Sequence, residues 1–426
     1  MGSPVVGTRR HRLVAIGRRG APWRTGTAVT TWAAAVVVAA VTAVGASASL
    51  AGPAGAASET VVVISSACAP GWSLPASGKL AVDVDNETSV TVDLELIDKA
   101  NKGVVAALKE LGPKTTLPLD ARLRRGSYRL QCIYDHPHAS APPFVHRLSD
   151  VATVTGGVPA SSATPSVLPA TTAEMAHPVD EYDAYVAGQI TILQSEVSAL
   201  TADIGSDNVA QAKVDWLAAE LTFSGIGGTY GAVGGLENNI NGLPGGFANG
   251  VSNDQFIGLH KIEYLLWSGQ PVAAIEPYVN DLAASVGRLQ TLWSNGVMTG
   301  NQLATRAHEV LEDALRDTLS GGDDEGANAS LSILAADAQG DQVILGYLRP
   351  AIDRRTAKLY STAESEFAVL DGALKSTMVG GQWPTLASLT STQTQQLDGA
   401  VGQILETLSP IPDLLEIQGF TNGIGG

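Results

Sequence analysis

The sequence has few of the residues that build covalent or metal-cluster scaffolds, since only Cys68 and Cys132 are cysteines. Two cysteines exclude a disulfide-dense scaffold and any zinc or iron–sulfur site that needs four cysteine ligands. Charged residues make up only 16% of the chain and hydrophobic residues 45%. A globally disordered protein is therefore excluded, because disordered chains are polar and highly charged. The length of 426 residues allows two or three domains with buried cores.

Positive charge is also scarce. The chain has 26 basic residues against 42 acidic ones, a formal net charge of -16 at neutral pH. Six arginines precede Ser58 and no acidic residue precedes Glu59, so a chain that begins near Ser58 keeps 20 basic residues and carries -22. Such a surface repels phosphate backbones, which argues against nucleic-acid binding and favours a protein that gathers cations.

The N-terminal segment has the parts of an export signal. An arginine-rich stretch up to Arg24 is followed by an apolar run over residues 28–50, and Ala54-Gly55-Ala56 fits the small-x-small cleavage rule. We predict residues 1–57 as a cleaved signal peptide and an extracytoplasmic protein: secreted, periplasmic or associated with the cell envelope. The alternative is an uncleaved membrane anchor, because the apolar run is nearly long enough to span a bilayer.

Residues 58–156 have the short, β-branched and alternating runs of a β-rich domain, with turn residues between them. Several short strands in so few residues predict an antiparallel sandwich. The following residues, 157–172, are rich in Gly, Pro, Ser, Ala and Thr and predict a linker. The predicted strands are Thr60–Ser65, Lys79–Asp85, Val90–Ile97, Gly103–Leu108, Gly126–Tyr134 and Phe144–Thr155.

From Ala173 onward, apolar residues recur at steps of three and four, which predicts helices. Short connections between about eight helices predict an all-α domain of two four-helix bundles over residues 173–426. The glycine-rich stretch 225–250 predicts an irregular helix end followed by a loop. The predicted helices lie near 176–205, 208–235, 253–268, 272–295, 299–320, 329–349, 353–378 and 390–408.

The third predicted helix carries His260 and Glu263 at positions i and i+3, so the two side chains share one face. Apolar neighbours on that face would bury them, and a buried imidazole and carboxylate are costly unless something satisfies both. A metal ion would do so, since bundle cores build metal sites from His and Glu at this spacing. The alternative is a core histidine that is hydrogen-bonded to its own glutamate.

The segment Gly258-Leu259-His260-Lys261-Ile262-Glu263 resembles the G-x-H-x-x-E signature of the imelysin-like family, and the resemblance extends over residues 173–410. Around the two cysteines, Cys68-Ala69-Pro70 and Gly126–Cys132 resemble cysteine segments of the EfeO-type iron-uptake family. Further similar segments are Asp215-Trp216-Leu217, Gly228–Gly231, Ile240-Asn241-Gly242 and His308–Leu319.

This resemblance implies a two-domain architecture and a function. The fold would be an N-terminal cupredoxin-like antiparallel β-sandwich followed by a C-terminal all-α imelysin-like domain of two four-helix bundles. The protein would be an exported metal-binding component of an iron-uptake system. It would capture iron, as Fe2+ or Fe3+, and pass it to a membrane permease, with a haem peroxidase as a further partner.

The resemblance also implies a metal site, built from the G-x-H-x-x-E motif and two acids from the preceding helix and loop. His260 and Glu263 match the motif, and Glu237 stands at the place of the loop acid. The helix acid is missing, because Ser224 occupies its position, but Glu220 lies one turn earlier on the same face and could replace it. An imidazole with carboxylates suits iron, zinc or manganese better than Cu(I).

Two interpretations stay open for Cys68 and Cys132. An exported domain with two cysteines favours a disulfide, whereas the family resemblance implies a thiolate metal site, which could take copper. His136 and His138 follow Cys132, but no histidine lies between Ser58 and Cys132 and no methionine lies in the domain. A blue-copper site needs two histidines, a cysteine and a weak axial ligand, so that site is incomplete.

Two other functions compete with metal transport. An imelysin-like zinc peptidase would need H-E-x-x-H or H-x-x-E-H, but position 261 is lysine and position 264 is tyrosine, so we expect no enzyme and no catalytic residues. A structural or adhesion module with a vestigial metal site is the other alternative, because of Ser224. Glu312 and Asp313 could form a second acidic site in the other bundle, but we predict a solvated helix face, and we predict an exposed loop for Asp323-Asp324-Glu325.

Overall fold

The computed structural model describes residues 59–63, 66–135 and 144–417. The signal-peptide prediction for residues 1–57 and the two histidines His136 and His138 lie outside the described residues. In the rest, a β-rich N-terminal region precedes a helical C-terminal region, as the sequence predicts. The cupredoxin-like sandwich and the division into two four-helix bundles stay predictions.

The N-terminal region consists of two sheets. One has the strand order β1-β2-β5, and the other has the order β4-β3-β6-β7, with β8 paired to β6. Strands β1 and β2 are parallel, and the other pairs are antiparallel. The strands are β1 Glu59–Val63, β2 Lys79–Asn86, β3 Val92–Asp98, β4 Val104–Leu111, β5 Thr116–Arg122, β6 Gly126–Asp135, β7 Phe144–Leu148 and β8 Ala152–Val154.

Alternation of buried and exposed residues explains why the strands were predictable. Along β2, Leu80, Val82 and Val84 are buried while the residues between them are exposed or partly exposed, as expected for a sheet with one face on a core. Strand β5 was missed because it contains Pro118, which cannot donate to a ladder. The strand lies at the edge of its sheet, where a missing N–H is tolerated.

Cys68 and Cys132 form a disulfide in the core of this region, with an S–S distance of 2.15 Å and a Cα–Cα distance of 5.5 Å. Both cysteines are buried. The interpretation of the pair as a thiolate metal site is therefore wrong for this structure, because each sulfur is bonded to the other and offers no thiolate. A copper site in this region would lack its cysteine ligand.

The helical region follows the predicted periodicity. In α1, Tyr182, Val186, Ile190 and Leu193 are buried at steps of three and four. The helices are α1 Thr172–Gly205, α2 Val209–Ser224, α3 Glu237–Asn241, α4 Leu259–Trp267, α5 Val272–Trp293, α6 Gly300–Asp313, α7 Ser330–Asp353, α8 Leu359–Thr377, α9 Ser391–Leu408 and α10 Ile411–Leu414, and a π-helical turn, Ala314–Thr318, follows α6. Within the described part of the chain, no helix is long and apolar enough to span a membrane.

Helix α2 is shorter than predicted. It ends at Ser224, and Gly225 caps it with its N–H bonded to Leu221 O. The glycine-rich stretch beyond it contains only short helical turns and α3, since glycine disfavours a continuous helix. This break places the end of α2 beside α3 and α4, where the metal-site residues were predicted.

The predicted linker is held in place by hydrogen bonds. Thr164 N donates to Arg122 O at 2.8 Å, and Val167 exchanges two backbone hydrogen bonds of 2.8 Å with Val104. The buried guanidinium of Arg355 donates to the carbonyls of Leu168 and Pro169 and binds both carboxylate oxygens of Glu174. Residues 157–172 thus have the composition of a linker, but these hydrogen bonds make the segment an ordered junction between the β and helical regions.

Candidate metal centre

The start of α4 is fixed by a glycine and a tryptophan. Gly258 has φ +92°, and a Cβ at this position would lie only 2.5 Å from Ile240 O, so glycine permits the close contact between α4 and α3. Trp216 Nε1 donates to Leu259 O at 2.8 Å. Together they hold the first turn of α4 and leave His260 only 2% exposed.

His260 and Glu263 interact directly. His260 Nδ1 lies 3.1 Å from Glu263 Oε2, and Glu263 Oε1 accepts hydrogen bonds of 2.9 Å from the backbone N–H groups of Glu325 and Ala327. Both carboxylate oxygens of Glu263 therefore have hydrogen-bond partners. An imidazole held through Nδ1 has Nε2 available for a cation, which is how carboxylates commonly orient metal-binding histidines.

Glu220 lies near the end of α2, in the position where it could replace the missing acid. Its Oε1 accepts from Asn241 Nδ2 at 2.9 Å and from Ser224 Oγ at 3.4 Å. Its Oε2 is buried and has no hydrogen-bond partner among the described residues. Ser224 therefore holds Glu220 instead of supplying a carboxylate.

Glu237 is placed differently from the other predicted residues. Its Oε1 accepts from Gly231 N at 3.0 Å, and its side chain does not line the cavity that His260 and Glu220 share. The structure thus brings Glu220, His260 and Glu263 together, whereas Glu237 stabilises the loop before α3.

A cavity of about 370 Å³ lies between these residues and the second half of the helical region. Glu220, Tyr230 and His260 are among the residues that line this cavity. Four acidic residues that the sequence analysis did not assign to the site also line the cavity: Asp313, Asp317, Asp323 and Asp337.

One of these acids contradicts its predicted surroundings. Asp323 was expected in an exposed loop but is only 6% exposed. Asp313 was expected on a solvated face; its side chain is 40% exposed and pairs with Arg316 at 2.8 Å, and it also lines the cavity. Asp337 was predictable in principle, since it follows Ile333 by four residues and Leu334 by three and so shares the apolar face of its helix.

Burial and charge shift the pKa values at this site. Burial lowers the pKa of His260, but the carboxylates of Glu220, Glu263 and Asp323 outweigh burial and raise it to about 9. Burial raises the pKa of Glu220 to about 7, although His260 and Asn241 oppose the rise. The pKa values of Asp323 and Asp337 are also raised, above all by burial.

These shifts show that the protein alone compensates the buried carboxylates poorly. Across residues 59–63, 66–135 and 144–417, no three His, Cys, Asp or Glu side chains are close enough to hold a metal ion as they stand. The acidic side chains that line the cavity thus stand apart from one another.

Comparison with known proteins shows the family of the chain. The Imelysin family model, Peptidase_M75, matches residues 178–410. The protein named iron uptake system component EfeO, from Escherichia coli O157:H7, from Escherichia coli strain K12 and from Shigella flexneri, is similar in sequence. Each is 22% identical over 358 residues, which cover 83% of this chain and 90% of the relative. The chain thus resembles EfeO-type proteins over most of its length, and it belongs to the imelysin family.

Proposed function

We propose that the protein is an exported iron-binding component of an EfeO-type iron-uptake system and captures iron in the cavity between α2, α4 and α7. The observation that carries this proposal is that His260 and Glu220 line one acidic cavity, and that Oε2 of Glu220 is buried with no hydrogen-bond partner in the described part of the chain. An imidazole with carboxylate oxygens suits iron, and also zinc or manganese. The relatives' name, iron uptake system component, supports iron.

The partners and location belong to the same proposal. The protein would act outside the cytoplasm and pass iron to a membrane permease, with a haem peroxidase as a further partner. The strong excess of acidic residues would favour the capture of cations. A cupredoxin-like sandwich and two four-helix bundles remain the proposed architecture.

The contacts of α4 argue against a peptidase, the activity in the family's label. Lys261 Nζ donates to Val251 O at 2.7 Å and lies over the Phe256 ring, so it is used structurally. Glu263 has both oxygens bound and is not available as a general base. A zinc peptidase needs two histidine ligands and such a base, so we propose a non-enzymatic role.

The proposal is tested by metal titration of the protein purified without a histidine tag. We expect one site for ferrous iron under anaerobic conditions, and competition by Mn2+ and Zn2+, measured by calorimetry. If none of these ions binds, the proposal fails and a structural module with a vestigial site becomes the better interpretation.

Replacing Glu220 with glutamine should weaken iron binding by about tenfold, or about 1.4 kcal/mol. The change removes a carboxylate oxygen that faces the cavity, while the amide oxygen can still accept from Asn241. Titration calorimetry measures the affinity, and circular dichroism should show an unchanged fold. Glu181→Gln, at a glutamate whose side chain is 42% exposed and lies 3.7 Å from His177, is the matched control and should bind as the wild type does.

Cation affinity should rise with pH. A proton on His260 competes with the cation, and its pKa of about 9 means that this proton must be displaced at neutral pH. The Mn2+ affinity should increase by up to about tenfold per pH unit between pH 7 and 9, as expected for one displaced proton. Titrations at pH 7, 8 and 9 measure this slope, and a flat profile would show that His260 is not a ligand.

A further inference from the structure

Asp323 is a buried carboxylate in the loop between the π-helical turn and α7. Its Oδ2 accepts from Thr318 Oγ1 at 2.7 Å, which fixes the side chain. Its Oδ1 is buried without a hydrogen-bond partner among the described residues. Burying a carboxylate oxygen without a hydrogen-bond donor costs free energy. A positively charged partner would offset this cost.

The cavity offers a place for such a partner. Asp323 lines the same cavity as His260 and Glu220, and it interacts electrostatically with both of them. Two unpartnered carboxylate oxygens, Glu220 Oε2 and Asp323 Oδ1, thus belong to side chains on this cavity's wall. They come from separate segments of the chain, α2 and the loop before α7, and the histidine comes from α4.

The loop that carries Asp323 is held against α4. Glu263 Oε1 binds two backbone N–H groups of this loop, at Glu325 and Ala327. Gly326 has φ +132°, and a Cβ there would lie 2.9 Å from Trp267 Cβ, so the loop packs against the end of α4. The position of Asp323 is therefore fixed by specific contacts on both sides of it.

We infer that Asp323 is a further ligand of the cation, supplied by the second half of the helical region. It would provide a carboxylate in addition to that of Glu220. Thr318 is a positioning residue for Asp323. Glu263 then has two roles, since it orients His260 with one oxygen and fastens the Asp323 loop with the other. The inference rests on the proposed function and adds to it a ligand from outside the G-x-H-x-x-E motif.

The test is Asp323→Asn, titrated with Mn2+ and ferrous iron. The asparagine oxygen can still accept from Thr318, so the loop should keep its structure, while a charged ligand is lost. We expect the affinity to fall at least tenfold. The matched control is Asp324→Asn, one residue away. Asp324 accepts from Gly326 N and Asn328 N through one oxygen, which asparagine can also do, and we expect less than a threefold change.

A spectroscopic measurement separates a lost ligand from a disturbed loop. With Co2+ as the probe, saturated Asp323→Asn should show a changed visible spectrum, whereas saturated Asp324→Asn should match the wild type. Thr318→Val should weaken binding by only a few-fold. A saturated Asp323→Asn spectrum identical to that of the wild type overturns the inference, as does an affinity equal to that of Asp324→Asn. If the wild type binds no ion at all, the proposed function itself fails.

Discussion

Iron binding by His260→Ala should be at least about 100-fold weaker than binding by the wild type. Replacing a group that only orients a metal ligand lowers metal affinity by about 10–100-fold. Loss of a direct imidazole ligand should lower the affinity at least as much. His260 is also the group that partly balances the buried carboxylates Glu220 and Asp323. Calorimetric titration with ferrous iron and with Mn2+ measures the loss, and circular dichroism reports the fold.

His177→Ala is the control for this variant. His177 is exposed, lies 3.7 Å from Glu181 on α1, and is not part of the cavity wall. Its replacement should leave the affinity unchanged. If His260→Ala binds iron as tightly as His177→Ala does, the cation does not bind at this histidine and the proposed site is wrong.

Removal of the disulfide should lower the free energy of unfolding by about 4 kcal/mol. The bond joins residues 64 apart in sequence, and closing a loop of this length restricts the unfolded chain by about that amount in the chain-entropy model. The variant is the double replacement Cys68→Ala with Cys132→Ala. Urea unfolding of this variant and of the wild type, followed by circular dichroism, measures the difference.

Reduction of the wild type provides an independent check, because it breaks the same bond without changing any residue. The reduced protein should unfold at a lower urea concentration, and thiol titration should find no thiol before reduction. At low urea concentration, the double variant should bind metal at the helical cavity with the same affinity as the wild type. A destabilisation below about 1 kcal/mol would show that the crosslink contributes little.

The sequence was informative where one face of an element is apolar. The periodicity of α1 and the alternation of β2 follow directly from burial on one side, so both elements were predictable. The motif at His260 and Glu263 was predictable for the same reason, since it interrupts an apolar face with two polar groups. Strand β5 was not predictable, because only its edge position makes Pro118 acceptable.

The burial of Asp323 beside the cavity could not be predicted from the sequence. Asp323 lies between glycines and acids, a composition typical of a solvated loop. The loop that contains it is held to α4 by hydrogen bonds from Glu325 and Ala327 to Glu263, which lies 62 and 64 residues away from them. No local pattern records such contacts. The same holds for Glu237, whose bond to Gly231 depends on the path of an irregular loop.

The ordered junction at residues 157–172 has a consequence for how the protein unfolds. Arg355 follows the end of α7, and its guanidinium binds the carbonyls of Leu168 and Pro169, while Val167 is bonded to strand β4. Melting of either region therefore removes hydrogen-bond partners that the other region needs. We expect the β and helical regions to behave as one cooperative unit on heating, in contrast to two domains on a flexible tether, which melt separately.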